Sequence, residues 1–77
     1  MTNNTTEEDL KQEAMRYLKS HYNEDTVSMD VLENGVQDGN GVLHVDCTVS
    51  VGGSRSDWTK WFTFENSKVT DLQAKLR

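Results

Sequence analysis

His44 and Asp46 stand two residues apart in the run Leu43-His44-Val45-Asp46-Cys47. On a β-strand that spacing puts both side chains on one face, within reach of Asp30 or Asp57 from neighbouring strands. An imidazole beside a carboxylate is the usual makeup of a general base or a metal site. A metal needs three converging ligands, however, and this spacing guarantees two; the same residues are accounted for as the solvent face of a half-buried sheet. No catalytic residue, metal ion or cofactor is therefore expected. His44, Asp46 and Asp30 stay as the residues of a ligand or proton-transfer site should a pocket between helix and sheet enclose them.

Other runs hint at chemistry and fall short of it. Asp38-Gly39-Asn40-Gly41 looks like part of a calcium loop but lacks the following acids and the closing bidentate Glu, which leaves a plain hairpin loop. Gly52-Gly53-Ser54-Arg55 precedes a strand rather than a helix, so no helix dipole is present to hold a phosphate. Cys47 falls mid-strand between Val45 and Val49 and reads as a small core hydrophobe with a raised pKa. His21 sits where a helix C-terminus favours positive charge. Trp58 and Trp61 project to opposite faces of one strand, so that one anchors the core while the other is available to a partner.

The chain has 77 residues and a formal net charge of −5. That length allows one small domain spanning 1–77. Leu, Val and Phe contribute 16 residues and Ile none, close to the roughly 20% below which a charged chain fails to fold. The acidity is confined to the first half: residues 1–33 carry eight acids and three bases, and residues 34–77 five of each. No basic cluster exists to displace counterions from a phosphate backbone, which argues against nucleic acid as a partner. One cysteine makes no internal disulfide, and no apolar stretch has the length of a membrane span or the layout of a signal peptide. The expectation is a soluble, cytoplasmic protein without a membrane partner.

Met1 to Asn4 reads as a frayed terminus. Thr5-Thr6-Glu7-Glu8-Asp9 announces a helix: a Thr hydroxyl accepts from an orphan amide while an acid three positions on reaches back to the cap. Leu10, Ala14, Tyr17, Leu18 and His21 then recur at spacings of three and four, which predicts one amphipathic helix over about 6–22. After Asp25 the period changes to two and β-branched residues become frequent. The alternations predict strands over about 26–33, 42–51, 56–64 and 69–76, joined by turns at Asn34 to Gly41, Gly52-Gly53 and Glu65 to Lys68. The fold class is α+β: an N-terminal helix packed on a four-stranded antiparallel meander, in the order α-β-β-β-β. For the last hairpin a three-residue loop, Asn66 to Lys68, pairs Phe62 with Leu72, Lys60 with Ala74 and Trp58 with Leu76. Trp58, Phe62, Phe64, Leu72, Ala74 and Leu76 then share one face and Trp61 points the other way beside Thr59 and Thr63.

The stretch Val42 to Leu76, with its run Lys60-Trp61-Phe62-Thr63-Phe64-Glu65-Asn66-Ser67-Lys68-Val69, resembles the closing meander of cystatin-like and NTF2-like α+β domains. Those domains often end with an aromatic strand, a tight turn and a valine-led final strand. The resemblance covers about half the chain. It implies a curved antiparallel sheet hugging a helix, frequently with dimerisation through the sheet. The additional helices that close a ligand pocket in NTF2-like domains are missing, and no catalytic residue is carried over.

A size comparison points to function. Four strands of ten residues make a sheet of roughly 19 by 33 Å, whereas a 17-residue helix is about 25 Å long and 10 Å across. One helix covers less than half of one face, and Val42, Trp61, Val69 and Leu32 are expected on the other. The sequence thus predicts a non-enzymatic interaction or accessory module that self-associates, as a homodimer or with another protein, through Trp61, Thr59, Thr63 and Val42. The rival is a small-ligand binder or minimal enzyme built on His44, Asp46 and Asp30.

Overall fold

The computed structural model describes residues 6–77, so the reading of Met1 to Asn4 as frayed lies outside the described residues. Helix α1 spans Glu7–Tyr22, and strands β1 (Asp25–Asn34), β2 (Gly41–Val51), β3 (Ser54–Glu65) and β4 (Lys68–Leu76) follow it in one antiparallel sheet of order β1-β2-β3-β4. The expected α-β-β-β-β order is the observed one.

Thr6 is the residue that starts α1. Its Oγ1 accepts the Asp9 amide at 3.1 Å, and Asp9 Oδ2 accepts the Thr6 amide at 3.2 Å, so two orphan donors are satisfied reciprocally. The helix stops at Asn23, which takes a left-handed conformation (φ 56°) and donates its amide to Lys19 O at 3.1 Å. Leu10, Ala14 and Leu18 are buried, Tyr17 partly so. His21, the last residue of the expected stripe, is exposed and stacks on Tyr17 with ring centroids 4.1 Å apart.

Leu43, Val45, Cys47 and Val49 of β2 and Phe62 and Phe64 of β3 form the sheet's half of the core. The helix comes nearest to the edge strands β1 and β4, and Glu13 Oε2 accepts the Val69 amide at 3.3 Å. The sheet therefore curls around α1, as strand coiling allows. The molecule is nevertheless 40 Å long, and a 16-residue helix spans about 24 Å of it. Beyond the helix end Ala74 and Leu76, although on the helix side, are exposed, Leu76 by 59%.

Three strand expectations are corrected. The β3–β4 connection is a two-residue turn, with Asn66 (φ 52°) and Ser67 (φ 66°) both left-handed and Glu65 opposite Lys68. Such a turn matches the twist of the flanking strands better than a longer loop. The preferred pairing of Phe62 with Leu72, Lys60 with Ala74 and Trp58 with Leu76 is present all the same, because a bulge at Thr70 shifts the register by one. That bulge also returns Val69, expected on the far face, to the core side opposite Phe64, where it is 8% exposed. In β1, irregularities at Val27 and Leu32 interrupt the expected alternation and leave both side chains exposed.

The Asn34 to Gly41 segment folds into a small hairpin of its own. Gln37 and Asn40 exchange backbone hydrogen bonds of 2.8 and 2.9 Å across Asp38 and Gly39. Its tip docks on the β3–β4 turn: Gly39 O accepts the Ser67 amide at 2.9 Å and Asn40 Oδ1 the Asn66 amide at 3.1 Å. Gly41 has φ 136°, and a Cβ there would lie 2.2 Å from Gly35 O. Only glycine fits that close approach.

Cys47 is buried, and desolvation pushes its thiol up to about 11 from an ordinary 9.0. At pH 8 the native protein is expected to react with an aromatic disulfide reagent at least about a hundredfold more slowly than the urea-unfolded chain, because both thiolate fraction and access are lost. Stopped-flow absorbance checks this; equal rates would show the thiol to be open. The sign for stability follows: the unfolded chain releases this proton near 9.0 and the native one near 11, so Cys47 erodes stability as pH rises through that window.

Candidate interaction surface

The two-residue turn at Gly52 and Gly53 (φ 58° and 87°) sets the β2–β3 register, and with it the face turned away from α1. His44 lies opposite Trp61, Asp46 opposite Thr59, Val42 opposite Thr63 and Thr48 opposite Asp57. The bulges of β1 and β4 then place Glu33 beside His44, Asp30 beside Asp46, Gln73 beside Trp61 and Lys75 beside Thr59. Two rows result: Glu33, His44, Trp61, Gln73, and Asp30, Asp46, Thr59, Lys75.

Trp61 is half-buried because His44 lies flat on it, with ring centroids 4.6 Å apart and planes 9° from parallel. His44 Nε2 is 2.8 Å from Thr59 Oγ1, and that hydroxyl donates to Val45 O at 3.3 Å. Thr59 has one hydroxyl proton, so its oxygen is the acceptor for the imidazole and the ring proton belongs on Nε2. The imidazole is thereby fixed as a platform for the indole. Val42, which is 42% exposed, Trp61, Thr63 and Gln73 surround an open depression of about 270 Å³.

Trp61, Thr59, Thr63 and Val42 are thus together on the outer face, as read from the sequence. His44, Asp46 and Asp30 are on that same face and do not line the space between helix and sheet. Nor does His44 engage Asp46: its bond goes to Thr59, while Asp46 lies 3.8 Å from Arg77. Asp57 is held by the Thr48 hydroxyl at 2.6 Å and does not join them. Among the described residues no three His, Cys, Asp or Glu side chains gather in a way that would hold a metal ion.

The space between helix and sheet is lined differently. Tyr22, Glu24, Trp58, Lys60, Leu72 and Ala74 enclose a groove of about 190 Å³. At its floor Lys60, 2% exposed, donates to Glu24 Oε1 at 2.8 Å and lies 5.1 Å from the centre of the Trp58 ring. Sequence reading missed this ion pair. The signal was present, since Trp58, Lys60, Phe62 and Phe64 share one parity on β3 and an inward lysine requires a buried acid.

Among the described residues no helix is long and apolar enough to cross a membrane. The chain matches no protein-family model, no curated protein and no solved structure.

Proposed function

We propose that the protein is a non-enzymatic interaction module that self-associates through the outer face of its sheet, with Trp61, Thr59, Thr63 and Val42 as the contact surface. The observation that carries this reading is the indole of Trp61. It is stacked rigidly on His44 and borders an open depression rather than a closed pocket. Aromatic side chains held in place before contact lose little entropy on binding, which is why they recur at the centre of interfaces. A ligand-binding or enzymatic role is less well supported: among the described residues the outer depression and the groove beneath α1, at about 270 and 190 Å³, fall below the roughly 300 Å³ typical of small-molecule sites.

A sheet face of about 19 by 33 Å offers on the order of 600 Å² per copy, or about 1,200 Å² for two, the lower bound of a specific interface. Sedimentation equilibrium of the wild type near 100 μM is expected to show a dimer of twice the 8.8 kDa chain. Trp61→Ala is expected to weaken it at least about thirtyfold, as for a central aromatic residue. A well-folded wild-type monomer at that concentration, or unchanged association of the variant, would count against the reading.

A further inference from the structure

We infer that the two copies meet with their twofold axis running along the strands, so that β1 of each lies over β4 of the other. This rests on the proposed self-association and adds its geometry. Two sheets that pack face to face by a twofold axis lying between them have two limiting arrangements. With the axis along the strands, β1 covers β4 of the second copy; with the axis across them, β1 covers β1. The charges of the outer face discriminate sharply. Asp30 and Glu33 stand on β1 opposite Asp46 and His44, and no base accompanies them on that strand; Asp25, opposite Ser50, is already paired with Lys19 of α1 at 2.9 Å. At the other edge Lys68 is opposite Glu65, Asp71 opposite Thr63 and Lys75 opposite Thr59, with Arg77 just beyond. An axis across the strands sets Asp30 and Glu33 of one copy against the same two acids of the other. An axis along them sets those acids against an edge of net positive charge, and complementary potentials of this kind fix the register of an interface.

Rotation about an axis along the strands leaves each row at its own height. Asp30 then faces Lys75 of the second copy, Asp46 faces Thr59, and Trp61 comes over His44 of the second copy, with the reciprocal contacts made by symmetry. The indole stacks on one imidazole within its own chain and meets a second across the interface.

Asp30→Lys and Lys75→Asp test this. Both positions are exposed, and Asp30→Lys also removes the like-charge pairing with Asp46 across β1 and β2, so both variants are expected to fold. Each alone places two like-charge contacts in the dimer and is expected to weaken self-association about thirtyfold. Mixed one to one, they form a heterodimer in which both contacts are opposite in sign, and the mixture is expected to recover wild-type association in sedimentation at low salt. A wild-type dimer without rescue in the mixture overturns the axis and leaves self-association standing. So does Asp30→Lys associating more tightly with wild type than wild type with itself, the result of β1 lying on β1. A wild-type monomer overturns the underlying reading and this inference with it.

Discussion

Glu24→Ala is expected to cost the fold about 3–5 kcal/mol, because it leaves the ammonium of Lys60 buried without a counter-charge. Lys60 is 2% exposed and Glu24 14%, and 2.8 Å separates them. The groove above them is walled by Tyr22, Trp58, Leu72 and Ala74, which supply a ring face and apolar surface but no second carboxylate. The Trp58 ring at 5.1 Å returns about 2 kcal/mol at a desolvated site, too little to replace the acid. At roughly 0.05–0.15 kcal/mol per residue a chain of this size has about 4–12 kcal/mol of stability in all, so the variant is expected to lose at least about a quarter of it and, at the low end of that range, to unfold at room temperature. The double variant Glu24→Leu/Lys60→Met is the informative contrast. It removes both charges of the pair and keeps a stem that packs under Trp58, and replacing a whole buried pair by apolar side chains is often neutral or stabilising. Urea denaturation followed by circular dichroism measures both; a Glu24→Ala midpoint within about 1 kcal/mol of wild type would mean that solvent reaches the ammonium after all.

Phe62→Ala is expected to cost about 3–5 kcal/mol by transfer and cavity terms together. Phe62 is wholly buried, with Leu43 opposite it on β2 and Leu72 on β4. It is thus the residue through which the central and edge strands share a core. Its loss opens a void between Leu43 and Leu72, the residues that pair with it on either side, and close-packed interiors relax only partly around such a void. Phe62→Leu keeps most of the volume and is expected to cost no more than about 1.5 kcal/mol. Equal stability of the alanine variant and wild type in the same denaturation experiment would place Phe62 outside the cooperative core.

These two positions also mark what can be read from the chain. Phe62 is legible: strict alternation from Leu43 to Val51 and from Trp58 to Phe64 puts one parity of each strand inward, and the same parity argument places Trp61, Thr59 and Thr63 outward. The capping box at Thr6 and Asp9 is equally local and equally legible. Glu24 and Lys60 are distant in sequence, and their pairing depends on how the end of α1 overhangs β3, which no pattern states. The bulges are the other illegible feature. An extra residue at Thr70 and a longer turn give the same pairing of Phe62 with Leu72, so the core alone cannot distinguish them; only the side on which Val69 falls does. Likewise the facing of Asp30 with Asp46 exists because irregularities at Val27 and Leu32 flank Asp30 in β1, and neither has a glycine to announce it. His44 under Trp61 follows from a two-residue turn at Gly52 and Gly53, a pairing derivable from the sequence but not one that reveals the stacking.

The docking of the Gly39 loop on the Asn66-Ser67 turn makes the two ends of the sheet mechanically unequal. At one end the hairpin tips are buttoned together by the Gly39 carbonyl and the Asn40 side chain, so β1–β2 cannot splay from β3–β4 without breaking contacts distant in sequence. At the other end the Gly52-Gly53 bend has nothing packed within 4 Å of where a side chain would begin. Separation of the strands therefore meets less resistance at the glycine bend than at the buttoned end. The pair formed by His44 and Trp61 lies nearer the fastened side.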